Sequence, residues 1–135
     1  MSNLSAFLNP VKLPERKEVV ISKRFCGEDG KPIPFVIRPV SEEENEKLIG
    51  KSTRRVKVNG QLQERLDAGE YGRRVVVAAT VEPDFTSEEM CKAYGTLDPL
   101  EVPGKMLLVG EYRKLSSAIL ELSGLDDDLE EQAKN

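Results

Sequence analysis

The stretch that most constrains the fold is Pro103–Gly124, PGKMLLVGEYRKLSSAILELSG. Proline suits the first turn of a helix, where its missing N–H would have no partner. Glycine suits the residue just past the end, where a left-handed backbone is cheap for it. Between them Leu108, Tyr112, Leu115, Ile119 and Leu122 step by fours and threes, so one face of a long helix collects them. Lys105, Glu111, Arg113, Lys114 and Glu121 fall mostly on the other side. This spacing predicts a core helix. Part of the stripe, Leu108 and Tyr112, is also a candidate contact surface for a partner.

A chain of 135 residues is one domain by size and buries roughly 68–70% of its unfolded surface. With 5% aromatics and no Trp, its core must be aliphatic. Charge is unevenly placed. Residues 1–60 carry 12 Lys/Arg against 8 Asp/Glu, and residues 61–135 carry 8 against 16. The last eleven, LDDDLEEQAKN, hold five of those acids and one Lys. A general nucleic-acid binder needs a phosphate-neutralising surplus, which the whole chain lacks at a net charge of −4.

The chain before the long helix reads as strands, then helices. Residues 1–17 hold Leu4, Phe7, Leu8 and Val11 at helical spacing, with Pro10 and Pro14 limiting any helix to one turn. Two readings of this N-terminal arm stand side by side: a flexible segment, and a short apolar segment that docks on a partner or on the chain's own core. Residues 18–38 predict a β-hairpin, EVVISKRF and PFVIRP around the turn-rich CGEDGKP. Pro32, Pro34 and Pro39 put the second strand at an edge or bound it on both sides. Ser41 and Glu44 form a capping box for a short helix ending near Gly50. Asn59-Gly60 marks a second hairpin over residues 51–65. Residues 67–82 are torn between strand, for Val75, Val76, Val77 and Val81, and helix, for an Asp67/Glu70 capping box and Ala78-Ala79 before Pro83. We read helix, packed on the 103–124 helix. Thr86 and Glu89 predict a further capped helix over 87–94. The fold class is therefore α+β, with small antiparallel β-hairpins in the N-terminal half and a mainly helical C-terminal half. Residues 1–124 form the domain, and 125–135 form an acidic disordered tail.

Catalytic chemistry has little to work with. There is no His, the commonest general base. Cys26 and Cys91, isolated and without a signal-like leader, point to a reducing compartment and form no zinc motif. Gly27-Glu28-Asp29-Gly30 lacks phosphate-loop spacing and reads as a turn. Consecutive carboxylates at 126–128 read as solvated, and no metal, cofactor or catalytic residue is assigned. Lys51, Arg54, Arg55 and Lys57 are the one basic cluster, but no aromatics interleave it to stack bases. No run of about 18 apolar residues predicts a membrane span.

Four stretches in their order carry a resemblance. They are NLSAFLNP, PFVIRPVSEEENEKL, RRVVVAATVEPDFTSEEMCKAYG with its Val81-Glu82-Pro83-Asp84-Phe85 junction, and PGKMLLVGEYRKLSSAILELSG. Together they resemble the phage tail assembly chaperones of the XkdN-like family, found in tailed phages and PBSX-type defective prophages. The resemblance implies a non-enzymatic factor in the bacterial host cytoplasm, absent from the mature virion. Its implied partner is the tape measure protein, held soluble during tail tube assembly, with the tail tube protein as a second. The candidate contacts are Leu4, Phe7, Leu8, Val11, Leu108 and Tyr112, and self-association stays open. Two alternatives remain at this point: a tail completion protein retained in the virion, and a small nucleic-acid binder using the basic 51–57 hairpin.

Overall fold

The structure, a computed structural model that describes residues 3–125, is built around a helix that begins after Asp67. In chain order the elements are α1 (Leu4–Leu8), β1 (Lys17–Val19), β2 (Phe35–Ile37), α2 (Glu42–Lys51), β3 (Thr53–Val58) and β4 (Gln61–Leu66). They continue with α3 (Ala68–Ala79), β5 (Thr80–Glu82), α4 (Glu88–Ala93), a 3-10 turn (Pro99–Glu101), α5 (Val102–Met106) and α6 (Val109–Leu122). The fold is α+β, as expected.

Helix α3 packs against α2, α5, α6 and the 3-10 turn. Its Val75, Val76 and Ala79 are buried with Leu48 of α2, Val102 of α5, and Leu115 and Ile119 of α6. Three consecutive valines disfavour a helix by a few tenths of a kcal/mol each, and burial overrides that. The expected helix over 67–82 is nevertheless too long. It ends at Ala79, and Thr80–Glu82 become a strand. The cause is the open edge of β2. Arg38 N–H donates to the Ala79 carbonyl at 2.9 Å, and Val36 and Ile37 pair antiparallel with Glu82 and Thr80 across a register shift.

β2 thus lies at the centre of a three-stranded antiparallel sheet ordered β1-β2-β5. Pro34 and Pro39 bound it on both sides rather than marking an edge. The first hairpin forms, with Lys17, Glu18 and Val19 opposite Ile37, Val36 and Phe35, but its strands are three residues long. Beyond Val19 the chain leaves the ladder, apart from one bridge between Cys26 and Pro32 at the predicted turn. The second hairpin is regular, β3 with β4, and turns on Asn59 and Gly60 at φ +52° and +82°. Both values belong to the left-handed region a tight two-residue turn requires.

Two helix starts are capped where the sequence places them. Ser41 Oγ accepts from Glu44 N–H at 3.1 Å, and Asp67 Oδ1 accepts from Glu70 N–H at 3.0 Å. The reciprocal halves of those capping boxes are absent because the glutamates are drawn elsewhere. Glu44 grips Arg38 with two bonds of 2.7 and 2.6 Å, and Glu70 accepts from Arg54 at 2.6 and 2.8 Å. For α4 the cap is Ser87, one residue later than expected, accepting from Met90 N–H at 3.2 Å. Thr86 instead donates its hydroxyl to Asp84 at 2.6 Å.

The largest correction concerns the 103–124 helix, which is two helices. Leu107 and Leu108 are extended, so Leu107 turns into the core while Leu108 faces outward. The acidic tail beyond Leu125 lies outside the described residues.

Candidate partner-binding surface

The break between α5 and α6 strands two backbone groups, and one ion pair satisfies both. Arg24 Nη2 donates to the Met106 carbonyl at 3.1 Å, and Glu111 Oε1 accepts from Leu108 N–H at 2.8 Å. Arg24 and Glu111 also join directly, Nη2 to Oε1 at 2.5 Å and Nε to Oε2 at 3.0 Å. The hydrogen bond from Arg24, with those from Ser22 and Leu108 N–H, lowers the Glu111 carboxyl to about 2. The Arg24 guanidinium further lies 4.9 Å from the centre of the Phe25 ring, which packs on Phe35 at 5.6 Å between centroids. The segment after β1 is thereby fastened to the start of α6.

This clamp decides what α6 shows to solvent. Leu108 is 62% exposed, and Val109 beside it is exposed too. Tyr112 lies one turn on, with its N–H bonded to the Leu108 carbonyl at 2.9 Å, and is half-buried against the core. Burial raises the Tyr112 hydroxyl above its ordinary value. Leu108 and Tyr112 are therefore neighbours, as the spacing predicts, but Leu115 and Ile119 beyond them are fully enclosed. The stripe has a wet end and a dry end. Val109 was not legible as part of the surface, because in a continuous helix it falls off the apolar face.

The other candidates sit on the N-terminal arm. Leu4, Phe7 and Leu8 share one face of α1, a single turn whose end Asn9 caps by donating Nδ2–H to the Ser5 carbonyl at 3.2 Å. Asn3 occupies the N-cap, but its side chain accepts no hydrogen bond there. Val11 follows past Pro10, and Phe7 and Val11 are 79% and 90% exposed. All residues from Asn3 to Glu18 are exposed, so the arm is not buried on the body and does not join Leu108 and Tyr112 in one enclosed site.

Sequence reasoning missed an apolar groove of 390 Å³ lined by Phe25, Ile33, Pro34, Phe35, Pro83 and Met106. Three distant segments build it, and only the proline-flanked PIPFV run hints at it. The basic cluster is partly spent inside the molecule. Arg54 ties the second hairpin to Glu70 of α3, while Lys51, Arg55 and Lys57 stay exposed. Cys26 is exposed and Cys91 buried, both as free thiols. Among the described residues no three His, Cys, Asp or Glu side chains gather to hold a metal ion, and no helix is long and apolar enough to cross a membrane.

Comparison with known proteins gives consistent matches over nearly the whole chain. A family model described as phage XkdN-like tail assembly chaperone protein matches residues 4–135. The Phage-like element PBSX protein XkdN of Bacillus subtilis (strain 168) is 38% identical over 138 residues, spanning 96% of this chain and 93% of that one. YqbN of the same strain, described as uncharacterized, is 39% identical over 127 residues, spanning 90% and 85%. The crystal structure of YqbN superposes with a TM-score of 0.71 at 30% identity, over 90% of this chain and 96% of that one.

Proposed function

The chain belongs to the phage XkdN-like tail assembly chaperone family, and from that premise we propose that it binds the tape measure protein and keeps it soluble while the tail tube assembles. On this reading it is non-enzymatic and works in the host cytoplasm. It also meets the tail tube protein and is left out of the finished particle.

The observation that carries this reading is the undocked arm. Leu4, Phe7, Leu8 and Val11 leave a run of large apolar side chains in water, and Leu108 and Tyr112 add a second patch. Solvent exposure of contiguous apolar surface is costly for a monomer and is characteristic of surfaces that take a partner. A long helical client offers apolar faces that a short amphipathic segment can match without a closed pocket. Each such side chain that becomes buried is worth about 1.5–3 kcal/mol, so a few contacts give binding that is real but releasable.

Co-expression with the tape measure protein tests this directly. The wild type is expected to bring the client into the soluble fraction and to co-purify with it. Replacing Phe7 and Leu8 together by Asp is expected to cut co-purification by about tenfold or more, since each tenfold is about 1.4 kcal/mol. A client that stays insoluble and unbound with the wild-type chain overturns the proposal. So does finding this protein among the components of purified particles, for the claim that it is left behind.

A further inference from the structure

The Phe25–Met106 groove is open, apolar and held in shape by bonds outside it. Ile33 stands 55% exposed on its lining, and Phe35 beside it is buried. Arg24 fixes one wall, donating to the Met106 carbonyl and lying over the Phe25 ring, and Phe25 in turn packs on Phe35. A second strut crosses the 26–33 turn, where Ile33 N–H donates to the Phe25 carbonyl at 2.8 Å and Gly27 N–H to the Lys31 carbonyl at 3.0 Å. The lining therefore offers an occupant few free backbone donors. Pro34 and Pro83 carry no N–H, and that of Ile33 is already spent. An extended segment would bury its own carbonyls there unpaired, whereas a helix satisfies them internally.

The rim of the groove is acidic. Glu82 lies on the lining, exposed, with no Lys or Arg bonded to it among the described residues. A Cβ placed on Gly27 would lie 3.2 Å from Asp29 Oδ1 and 3.8 Å from Ile33 Cδ1, which sets the Asp29 carboxylate beside the exposed Ile33. Asp29 Oδ1 accepts from Lys31 N–H at 3.0 Å. Arg24, the cation against this wall, is neutralised by Glu111. In the turn itself Glu28 and Asp29 are set against Lys31 alone. Carboxylates around an apolar trough complement a helix whose large apolar residues are flanked by Lys or Arg. The flexible thioether of Met106 lets the trough adapt to different apolar side chains.

We propose that this groove receives an amphipathic helix of a partner protein, with apolar residues one turn apart seated on Phe25, Ile33 and Met106 and a flanking Lys or Arg reaching Glu82. It is a contact on the folded body, separate from the arm and from Leu108 and Tyr112. The inference rests on the chemistry of the groove and does not depend on which client the chaperone binds.

Cys26 lies on the lining as an exposed thiol and Cys91 is buried, so iodoacetamide alkylation of Cys26 in the full chain reports on the groove. The probes are two helical peptides of about 15 residues with the same Leu stripe, one carrying Lys on its polar face and the other Glu. The Lys peptide is expected to slow alkylation by about tenfold, and the Glu peptide by less than about twofold. Glu82→Lys is expected to reverse that preference. Ile33→Asp is expected to weaken binding of the Lys peptide by about tenfold or more. Both side chains are exposed, and an unmodified Cys91 shows that the fold is intact. Phe7→Asp with Leu8→Asp is expected to leave the protection unchanged, which separates the groove from the arm. The proposal is overturned if neither peptide protects Cys26, if both protect it equally, or if protection survives Ile33→Asp. Loss of protection in the arm variant also overturns it. So does slowing of alkylation as the chain alone is concentrated, which assigns the groove to a second copy.

Discussion

Residue by residue, the side chains that fix this molecule are those whose partners lie far away in sequence. Leu115 is fully enclosed between α6 and α3, and Leu115→Ala is expected to cost about 2–5 kcal/mol in urea unfolding. Leu108, four residues before Tyr112 on the same expected stripe, is exposed, and Leu108→Ala is expected to stay within about 0.5 kcal/mol. The contrast between the two checks the break in the helix. Glu111 supplies a pH signature. Its folded value of about 2 lies below the ordinary 4.5, so its contribution to stability is complete above pH 4.5 and is lost as pH falls toward 2. Unfolding midpoints followed from pH 6 to pH 2 are expected to fall less steeply for Glu111→Gln than for the wild type.

At the level of elements, local signals were legible and long-range ones were not. Ser41 and Asp67 cap their helices because an N-cap needs only a side-chain oxygen and an amide a few residues on. Ser41→Ala is accordingly expected to cost about 1 kcal/mol. The Asn59-Gly60 turn was legible for the same reason. Gly60→Val forces a β-branched residue to φ +82° and is expected to destabilise the hairpin by about 1–2 kcal/mol. Faster amide exchange across residues 53–66, with α3 unchanged, is the measurement. What the sequence conceals is competition for a group. Glu44 and Glu70 have capping-box spacing, yet Arg38 and Arg54 claim them. Residues 80–82 follow a helical run but pair with a strand formed over forty residues earlier. The α5–α6 break depends on Arg24, 87 residues from Glu111. Apart from Arg38, six residues before Glu44, these partners lie outside any local window, and no periodicity announces them.

For the whole molecule, the α+β class and the family were legible, because element order and overall wording survive such local rearrangements. The candidate surface was legible only in part. The arm's apolar residues are exposed in the structure, whereas the Phe25–Met106 groove arises from residues that only folding brings together. Deleting residues 1–14 removes no buried side chain of the described core. The truncated chain is expected to keep its stability within about 0.5 kcal/mol while losing client solubilisation. A large fall in its thermal midpoint would show that the arm belongs to the core. The junction at Ala79–Thr80 has a mechanical consequence. Helix and strand there share one uninterrupted backbone with no connecting loop, and a carbonyl at the joint is bonded to the neighbouring strand. Load applied to the sheet is therefore passed straight into the central helix, like a spar built into a wing root. The arm, exposed from Asn3 to Glu18, lies outside that frame, so displacing it leaves the joint unloaded.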